Sequence, residues 1–226
     1  MAIATDHCRN LMEKGADSRS EGVMGFSATV IGCDEWGAAA PKVPAFERTR
    51  PRWVVVHHTA HANPPGDPSQ RTRDGAMGLA REIQRDHMEN HGWYDTGQNF
   101  LISTGGFVLE GRRGTLDAVQ AGNCVQSAHA PKSDGKLGGG NDSPGIQIEG
   151  TFMTEAMAPE QWSSLVELCA DLCDALGLPP TAIKGHRDFT ATQCPGDWLY
   201  AQLPKLRLEV AERLHLALSE ADAANS

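Results

Sequence analysis

Apolar and polar positions along this chain fall into short blocks with different periods. The strongest is the uninterrupted run Trp53-Val54-Val55-Val56 inside 52–58, which predicts a central strand buried on both faces. Residues 145–150 alternate instead, with Ile146 and Ile148 on one face and Gln147 and Glu149 on the other, which predicts a strand. Further strands are expected over 27–32 and 183–186, and over 98–103 and 106–110, where Thr104-Gly105-Gly106 closes a hairpin. The clearest helix is 159–176: Pro159 suits its first turn, Trp162, Leu165, Val166, Cys169, Leu172, Cys173 and Leu176 form one stripe, and Gly177 and Pro179 end it. Residues 75–91 show partial helical periodicity stopped by Gly92, and 203–218 read as a final amphipathic helix. Polar, Pro- and Gly-rich loops are expected at 60–74 and 132–143. Residues 1–28 read as a weakly structured tail and 219–226 as a small polar one, leaving 29–218 as the folded region. No internal repeat is visible. Strands and helices interleave, so the expected class is α/β with a mixed sheet.

Composition narrows the function. A chain of 226 residues suits one domain. Lys and Arg total 20 against 29 Asp and Glu, a net charge of −9, which disfavours unaided nucleic-acid binding and repels anionic lipid and anionic wall polymers. No apolar run approaches the roughly 20 residues of a membrane span. The first 25 residues carry Asp6, Arg9, Glu13, Lys14, Asp17, Arg19 and Glu21, leaving no apolar core for a secretory signal. The chain is therefore expected to be cytoplasmic as synthesised, with any action on a cell wall requiring another export route. A monomer is expected, since no long coiled-coil seam or exposed apolar stripe appears. Six cysteines lack the spacing of a disulfide framework; Cys169 and Cys173, four apart on an apolar helix face, read as buried thiols, while Cys8, Cys33 and Cys124 are open between free and paired.

Three residues stand out as metal-ligand types: His57 at the end of the Val run, His186 in Lys184-Gly185-His186-Arg187-Asp188, and Cys194 in Thr192-Gln193-Cys194-Pro195-Gly196. The interval between the last two requires a loop that folds back. Each alone is weak: among nine His, chance pairings are easy, and spacing by itself does not establish a metal site.

The order of motifs adds more. Ile31-Gly32-Cys33-Asp34-Glu35-Trp36-Gly37-Ala38 is followed by Val55-Val56-His57-His58-Thr59-Ala60, then Ile83-Gln84-Arg85-Asp86-His87-Met88 leading into Gly92-Trp93-Tyr94-Asp95-Thr96-Gly97-Gln98-Asn99-Phe100. Leu109-Glu110-Gly111-Arg112, Ala128-His129-Ala130, Gly185-His186-Arg187-Asp188 and Cys194-Pro195-Gly196 complete the series. Over about residues 29–205 this resembles the zinc-dependent N-acetylmuramoyl-L-alanine amidases of the type 2 amidase and peptidoglycan recognition protein family.

The resemblance implies a central mixed β-sheet flanked by helices, with a groove for the glycan-linked stem peptide. It implies Zn2+ held by His57, His186 and Cys194, with His57 rather than His58 as the ligand of the pair. Members that bind peptidoglycan without cutting it typically lack the Cys ligand, so Cys194 favours an enzyme. The implied reaction is hydrolysis of the amide joining N-acetylmuramic acid to L-alanine, with peptidoglycan or muropeptides as partners. It also makes His129, Asn99, Arg112 and Tyr94 candidate substrate contacts, Tyr94 being either structural or groove-lining.

The chain departs from the family at the acid/base. Gln98 stands where family enzymes commonly place a Tyr, and Gln147 stands where other members place a Glu. A neutral amide cannot take a proton, though it can orient water or hydrogen-bond an oxyanion. Two readings follow for catalysis. Either Glu149 serves, two residues along the same strand face, or the metal does most of the work, helped by Gln98, Gln147, His129 and Thr192, the last matching a family position for Lys or Thr near the reacting carbonyl. Two readings also follow for the protein: an active amidase (an endolysin, a secreted effector or a recycling enzyme), or a zinc-containing binding or sensing module without catalysis. Trp36, Trp93 and Trp162 are expected in the core rather than as sugar platforms.

Overall fold

The computed structural model describes residues 26–63, 71–131, 137 and 139–226. The expected tail over 1–25, with Cys8, and the loop segments 64–70, 132–136 and 138 lie outside the described residues.

In chain order the elements are β1 (Val30–Ile31), α1 (Cys33–Trp36), β2 (Arg48–Thr49), β3 (Val54–His58), α2 (Arg73–Glu89), β4 (Phe100–Ile102) and β5 (Val108–Glu110). Then follow α3 (Thr115–Gln120), β6 (Cys124–Val125), β7 (Gly145–Ile148), α4 (Pro159–Leu176), β8 (Ile183–Gly185), α5 (Asp197–Ala201), α6 (Leu203–Arg213) and α7 (Glu220–Ala224). Six strands form one mixed sheet in the order β1-β5-β4-β7-β3-β8, and β2 pairs with β6 in a separate ribbon. The β4–β5 hairpin is antiparallel and every other pairing in the large sheet is parallel.

The continuous apolar pattern of β3 follows from its place: strands pair on both its edges, and Val54, Val55 and Val56 are fully buried. One face of the sheet, carrying Val54, Val56, Phe100, Ile102, Ile146 and Ile148, packs on Leu165, Leu168 and Leu172 of α4 and on Leu206 and Val210 of α6. Each of those fully buried leucines contributes about 2 kcal/mol of apolar burial. On the other face Leu101 and Leu109 pack against Trp36 of α1 and Ala76, Ala80 and Ile83 of α2. That second apolar cluster does not extend over the C-terminal ends of β3 and β7, where the polar residues gather.

α4 has the predicted bounds, with Pro159 in its first turn and Gly177, at φ 63°, ending it while the Leu178 amide bonds back to the Cys173 carbonyl at 2.8 Å. α2 begins earlier than its apolar periodicity indicates, because the Thr72 hydroxyl accepts from the Gly75 amide at 3.1 Å and caps it. The chain ends of the folded region also differ from expectation. Ala28 is buried and its amide donates to the Asp171 carboxylate at 2.8 Å, so the fold already includes the last residues assigned to the N-terminal tail. α6 stops at Arg213 and His215 takes a left-handed conformation, φ 55°, which turns the chain into α7. Instead of a polar tail, α7 is tied down: the buried Arg207 guanidinium bonds the Ala223 carbonyl at 2.7 Å and the Ile183 carbonyl at 2.7 and 3.0 Å. No helix among the described residues is long and apolar enough to cross a membrane.

Candidate metal centre and groove

The parallel pairing of β3 with β8 brings the first two candidate ligands together. Val54, Val55 and Val56 lie opposite Ile183, Lys184 and Gly185, and the next step of the same register sets His186 beside His57. Their ring centroids are 4.4 Å apart. Strand parity sends His58 to the opposite face, where its Nδ1 accepts from the Phe152 amide at 3.4 Å.

Cys194 returns to this point through the loop after β8. The Arg187 amide donates to the Cys194 carbonyl at 3.2 Å, and the Arg187 guanidinium bonds the Gln193 carbonyl at 2.5 Å and the Asp197 carboxylate at 2.8 Å. Gly196 permits the close turn: its φ is 98°, and a Cβ there would fall 2.2 Å from the Phe152 carbonyl oxygen. Cys194 Sγ then lies 3.6 Å from His57 Nδ1 and accepts the His58 backbone N–H at 3.4 Å.

His57, His186 and Cys194 form the one group of His, Cys, Asp or Glu among the described residues whose ligand atoms converge, all within 4.8 Å of one another. His186 Nε2 is buried with no hydrogen-bond partner, an orphan that a cation would satisfy. Burial drives the His57 imidazole well below its ordinary pKa, with His129 and His186 adding to it, and burial lowers His186 to about 4. Both rings are therefore neutral near pH 7 with nitrogen lone pairs available. Burial pushes the Cys194 thiol up to about 12, opposed by the His58 N–H and by Arg187. Two neutral imidazoles and a thiol that gives up its proton on binding are a donor set suited to Zn2+.

A groove of about 400 Å³ opens between α2 and the ends of β3 and β7; His57, His186 and Cys194 do not line it, and Gln147, the register neighbour of His57, links it to the cluster. Its walls include Thr59, Ile83, Asp86, His87, His91 and Gln147. Gln147 is the register partner of His57 on β7, is 7% exposed, and its Oε1 is buried without a hydrogen-bond partner. Gln98 is also buried with an unpartnered Oε1, but it is not part of the groove wall. Glu149 is held away from such work: its Oε2 accepts the Thr104 amide at 2.6 Å and its carbonyl accepts from Gln161 at 2.9 Å. Thr192 remains at the cluster, its hydroxyl accepting from the Cys194 amide at 3.2 Å.

The expected substrate contacts divide. Asn99 is fully buried, donating to Thr115 Oγ1 and the Val125 carbonyl, each at 3.2 Å, and accepting from the Gly145 amide at 3.0 Å. Arg112 is buried too, donating to the carbonyls of Thr96 and Gln126 at 2.8 Å and lying over the Phe46 ring. Both side chains are thus engaged with inner carbonyls and hydroxyls of the protein. Tyr94 is 57% exposed, with its carbonyl bonded to the Lys42 amide at 2.8 Å. His129 is 4% exposed and sits behind His57, its Nδ1 2.9 Å from His57 Nε2, rather than facing ligand. Burial lowers its pKa to about 3. Asp86 and His87 at the end of α2 and His91 just beyond it also line the groove; helical periodicity alone does not mark them as groove residues. His87 is locked there by accepting the Gly97 amide at Nδ1, 3.0 Å away. Of the tryptophans, Trp36 is buried, its Nε1 donating to the Glu110 carbonyl at 2.8 Å, and Trp162 packs on the main core, as expected; Trp93 instead is half-buried outside the core clusters, against His87 at 4.7 Å and His91 at 5.1 Å. Cys33, Cys124, Cys169 and Cys173 are free and buried.

Comparison with known proteins agrees with this geometry. The chain is 30% identical over 177 residues to peptidoglycan recognition protein 1 of Bos indicus, covering 76% of this chain and 80% of that protein. It is 29% identical over 189 residues to peptidoglycan-recognition protein LB of Drosophila melanogaster, covering 78% and 68% respectively. The solved structure of wild-type Drosophila PGRP-LB superposes with a TM-score of 0.62 at 26% identity, over 84% of this chain and 97% of that one. A complex of the PGRP-LCa and PGRP-LCx ectodomains with tracheal cytotoxin matches with a TM-score of 0.63 at 26% identity, over 78% and 95%. The family model for N-acetylmuramoyl-L-alanine amidase matches residues 47–197, which contain all three converging ligands, and the chain belongs to that family.

Proposed function

We propose that this protein is a zinc-dependent N-acetylmuramoyl-L-alanine amidase acting on peptidoglycan or its muropeptides. The observation that carries this reading is the convergence of His57, His186 and Cys194, with a cysteine completing the set. Those three residues would hold Zn2+, which lowers the pKa of a bound water to about 7 and polarises a carbonyl.

In the reaction, water adds across the amide: its oxygen joins the lactyl carbonyl carbon, the C–N bond breaks, and the amine of L-alanine leaves with the transferred proton. The groove beside the cluster supplies the space for the stem peptide, and Gln147 supplies an acceptor on its wall. That Oε1, fixed by the sheet and lacking any protein donor, takes an N–H of the bound peptide and holds the amide beside the cluster. Thr192, tied to the Cys194 amide, orients the carbonyl end. No carboxylate takes part in this scheme, so proton delivery to the leaving amine falls to water held between these groups.

The second reading, a zinc-containing peptidoglycan-binding module, draws on the same observation at Gln98 and Gln147: both carry amides where the family places ionisable groups. Metal analysis together with product analysis on purified peptidoglycan separates the two. One zinc per chain with newly released N-terminal L-alanine supports the amidase. Full zinc occupancy with retained peptidoglycan binding and no new amino termini establishes the binding module instead.

A further inference from the structure

Behind His57 a hydrogen-bond chain runs through a second histidine to the backbone. His129 Nε2 lies 3.0 Å from the Ser143 carbonyl oxygen. A carbonyl can only accept, so that nitrogen carries the proton, and in the neutral ring Nδ1 is a bare acceptor. His129 Nδ1 lies 2.9 Å from His57 Nε2, which must therefore be the donor. The remaining His57 nitrogen, Nδ1, is left bare, and it is the atom facing Cys194 Sγ at 3.6 Å. Both rings are almost wholly buried, at 2% and 4% exposure, so water does not compete for these bonds.

We propose that His129 is a positioning residue that fixes His57 in its Nε2–H tautomer, so that the Ser143 carbonyl, two rings away, selects the nitrogen offered to the metal. This rests on the reading of His57, His186 and Cys194 as the metal centre. Outer partners of this kind orient a ligating imidazole and raise its basicity. The arrangement also accounts for Gly145. The His129 ring lies against that residue: a Cβ there would fall 2.4 Å from His129 Cδ2 and 2.6 Å from Nε2. Asn99 Oδ1 holds the Gly145 amide at 3.0 Å, and Ser143 Oγ accepts the Arg52 and Trp53 amides at 3.1 and 3.3 Å. The start of β7, the start of β3 and the imidazole pair are therefore built as one unit.

Two measurements test this. The first is the nitrogen NMR signature of His57 in the metal-free wild-type protein. A protonated Nε2 and a bare Nδ1 are expected; a protonated Nδ1 overturns the proposal. The second is zinc affinity by chelator competition for wild type, His129→Leu and His129→Asn, with thermal melts confirming that each is folded. His129→Leu is expected to bind zinc roughly 10- to 100-fold more weakly and to show both His57 tautomers. His129→Asn, whose Oδ1 stands in for the Nδ1 acceptor, is expected to recover most of the affinity and the single tautomer. Equal affinity in all three proteins overturns the proposal. If wild type itself binds no zinc, the metal-centre reading fails, while the tautomer signature still decides the role of His129.

Discussion

The two sides of the groove are built to different standards. At the metal side, His57, His186 and Cys194 converge within 4.8 Å, with His129 and the His58 backbone N–H bonded behind them. One strand over, where an ionisable group would be expected, Gln147 presents an orphaned amide oxygen beside His57, and Glu149, the next residue on that face, is held by the Thr104 amide. On the proposed reading, metal binding and proton transfer are separable: the first rests on strand register and one returning loop, the second on the side chains at positions 98 and 147.

The largest effect expected from breaking that contrast is at the metal side. Cys194→Ala removes the one ligand that can carry negative charge. Zinc affinity is expected to fall by more than the roughly 10- to 100-fold typical of losing an outer partner, and release of N-terminal L-alanine from peptidoglycan to fall to background. Metal content and amine release measured on the same samples check this; hydrolysis that persists without zinc sinks the metal-centred reading.

Acid offers the next largest effect. Burial lowers His87 to about 4 and His129 to about 3, against an ordinary value of 6.5, so the unfolded chain takes up these protons before the folded one does. The sign follows: stability is level above about pH 7 and falls as pH drops below 6.5, down to the folded values. By pH 5 each contributes a loss of about 2 kcal/mol. Urea unfolding of the metal-free protein should therefore show a loss between pH 7.5 and pH 5 of at least about 4 kcal/mol from these two rings, with the buried His57 and His186 adding in the same direction, and coincident curves would contradict the assignment of buried neutral rings. Gln147 does not titrate and adds nothing to this slope.

The contrast is sharpened by supplying what β7 lacks. Gln147→Glu places a carboxylate on the groove wall, in register with His57. If proton delivery limits turnover, kcat is expected to rise by about 10²-fold, the low end of general acid–base catalysis. Rates at saturating substrate for both proteins test it; an unchanged kcat with unchanged zinc content shows that another step is limiting.

Much of this architecture was legible in the chain before the structure. The Val54-Val55-Val56 run and the stripe of α4 fixed the core because period and burial are coupled directly. The convergence of His57, His186 and Cys194 was legible through motif order, since each closes a strand or a loop of recognisable composition. The inner hydrogen bonds of Asn99, Arg112 and His129 were not. A polar residue in a loop reads the same whether it faces ligand or bonds an inner carbonyl. Only the tertiary contacts, Gly145 for Asn99, Thr96 and Gln126 for Arg112, and Ser143 for His129, decide between the two. The end of the chain was misjudged for a related reason: α7 is held by a buried arginine on α6, a contact that short-range polarity does not register.

Glu149 gives the smallest effect and the finest test. Sequence parity alone makes it a candidate base, because it follows Gln147 on the same strand face. Its Oε2 nevertheless accepts the Thr104 amide at 2.6 Å, and its carbonyl is bonded by Gln161, so the residue anchors the end of β7 to the β4–β5 turn and to α4. Glu149→Gln keeps an oxygen for the Thr104 amide while abolishing any proton-accepting role. A base would lose about 10²-fold or more in kcat on this change. A purely structural residue would lose about 1 kcal/mol of stability, the difference between a charged and a neutral acceptor, with kcat altered by no more than a few-fold. We expect the second pattern. Measuring kcat, KM and the urea midpoint of Glu149→Gln beside Gln147→Glu makes the comparison internal to one strand: a large kcat loss at position 149 would place a working carboxylate on β7 after all and erase the difference between the two sides of the groove.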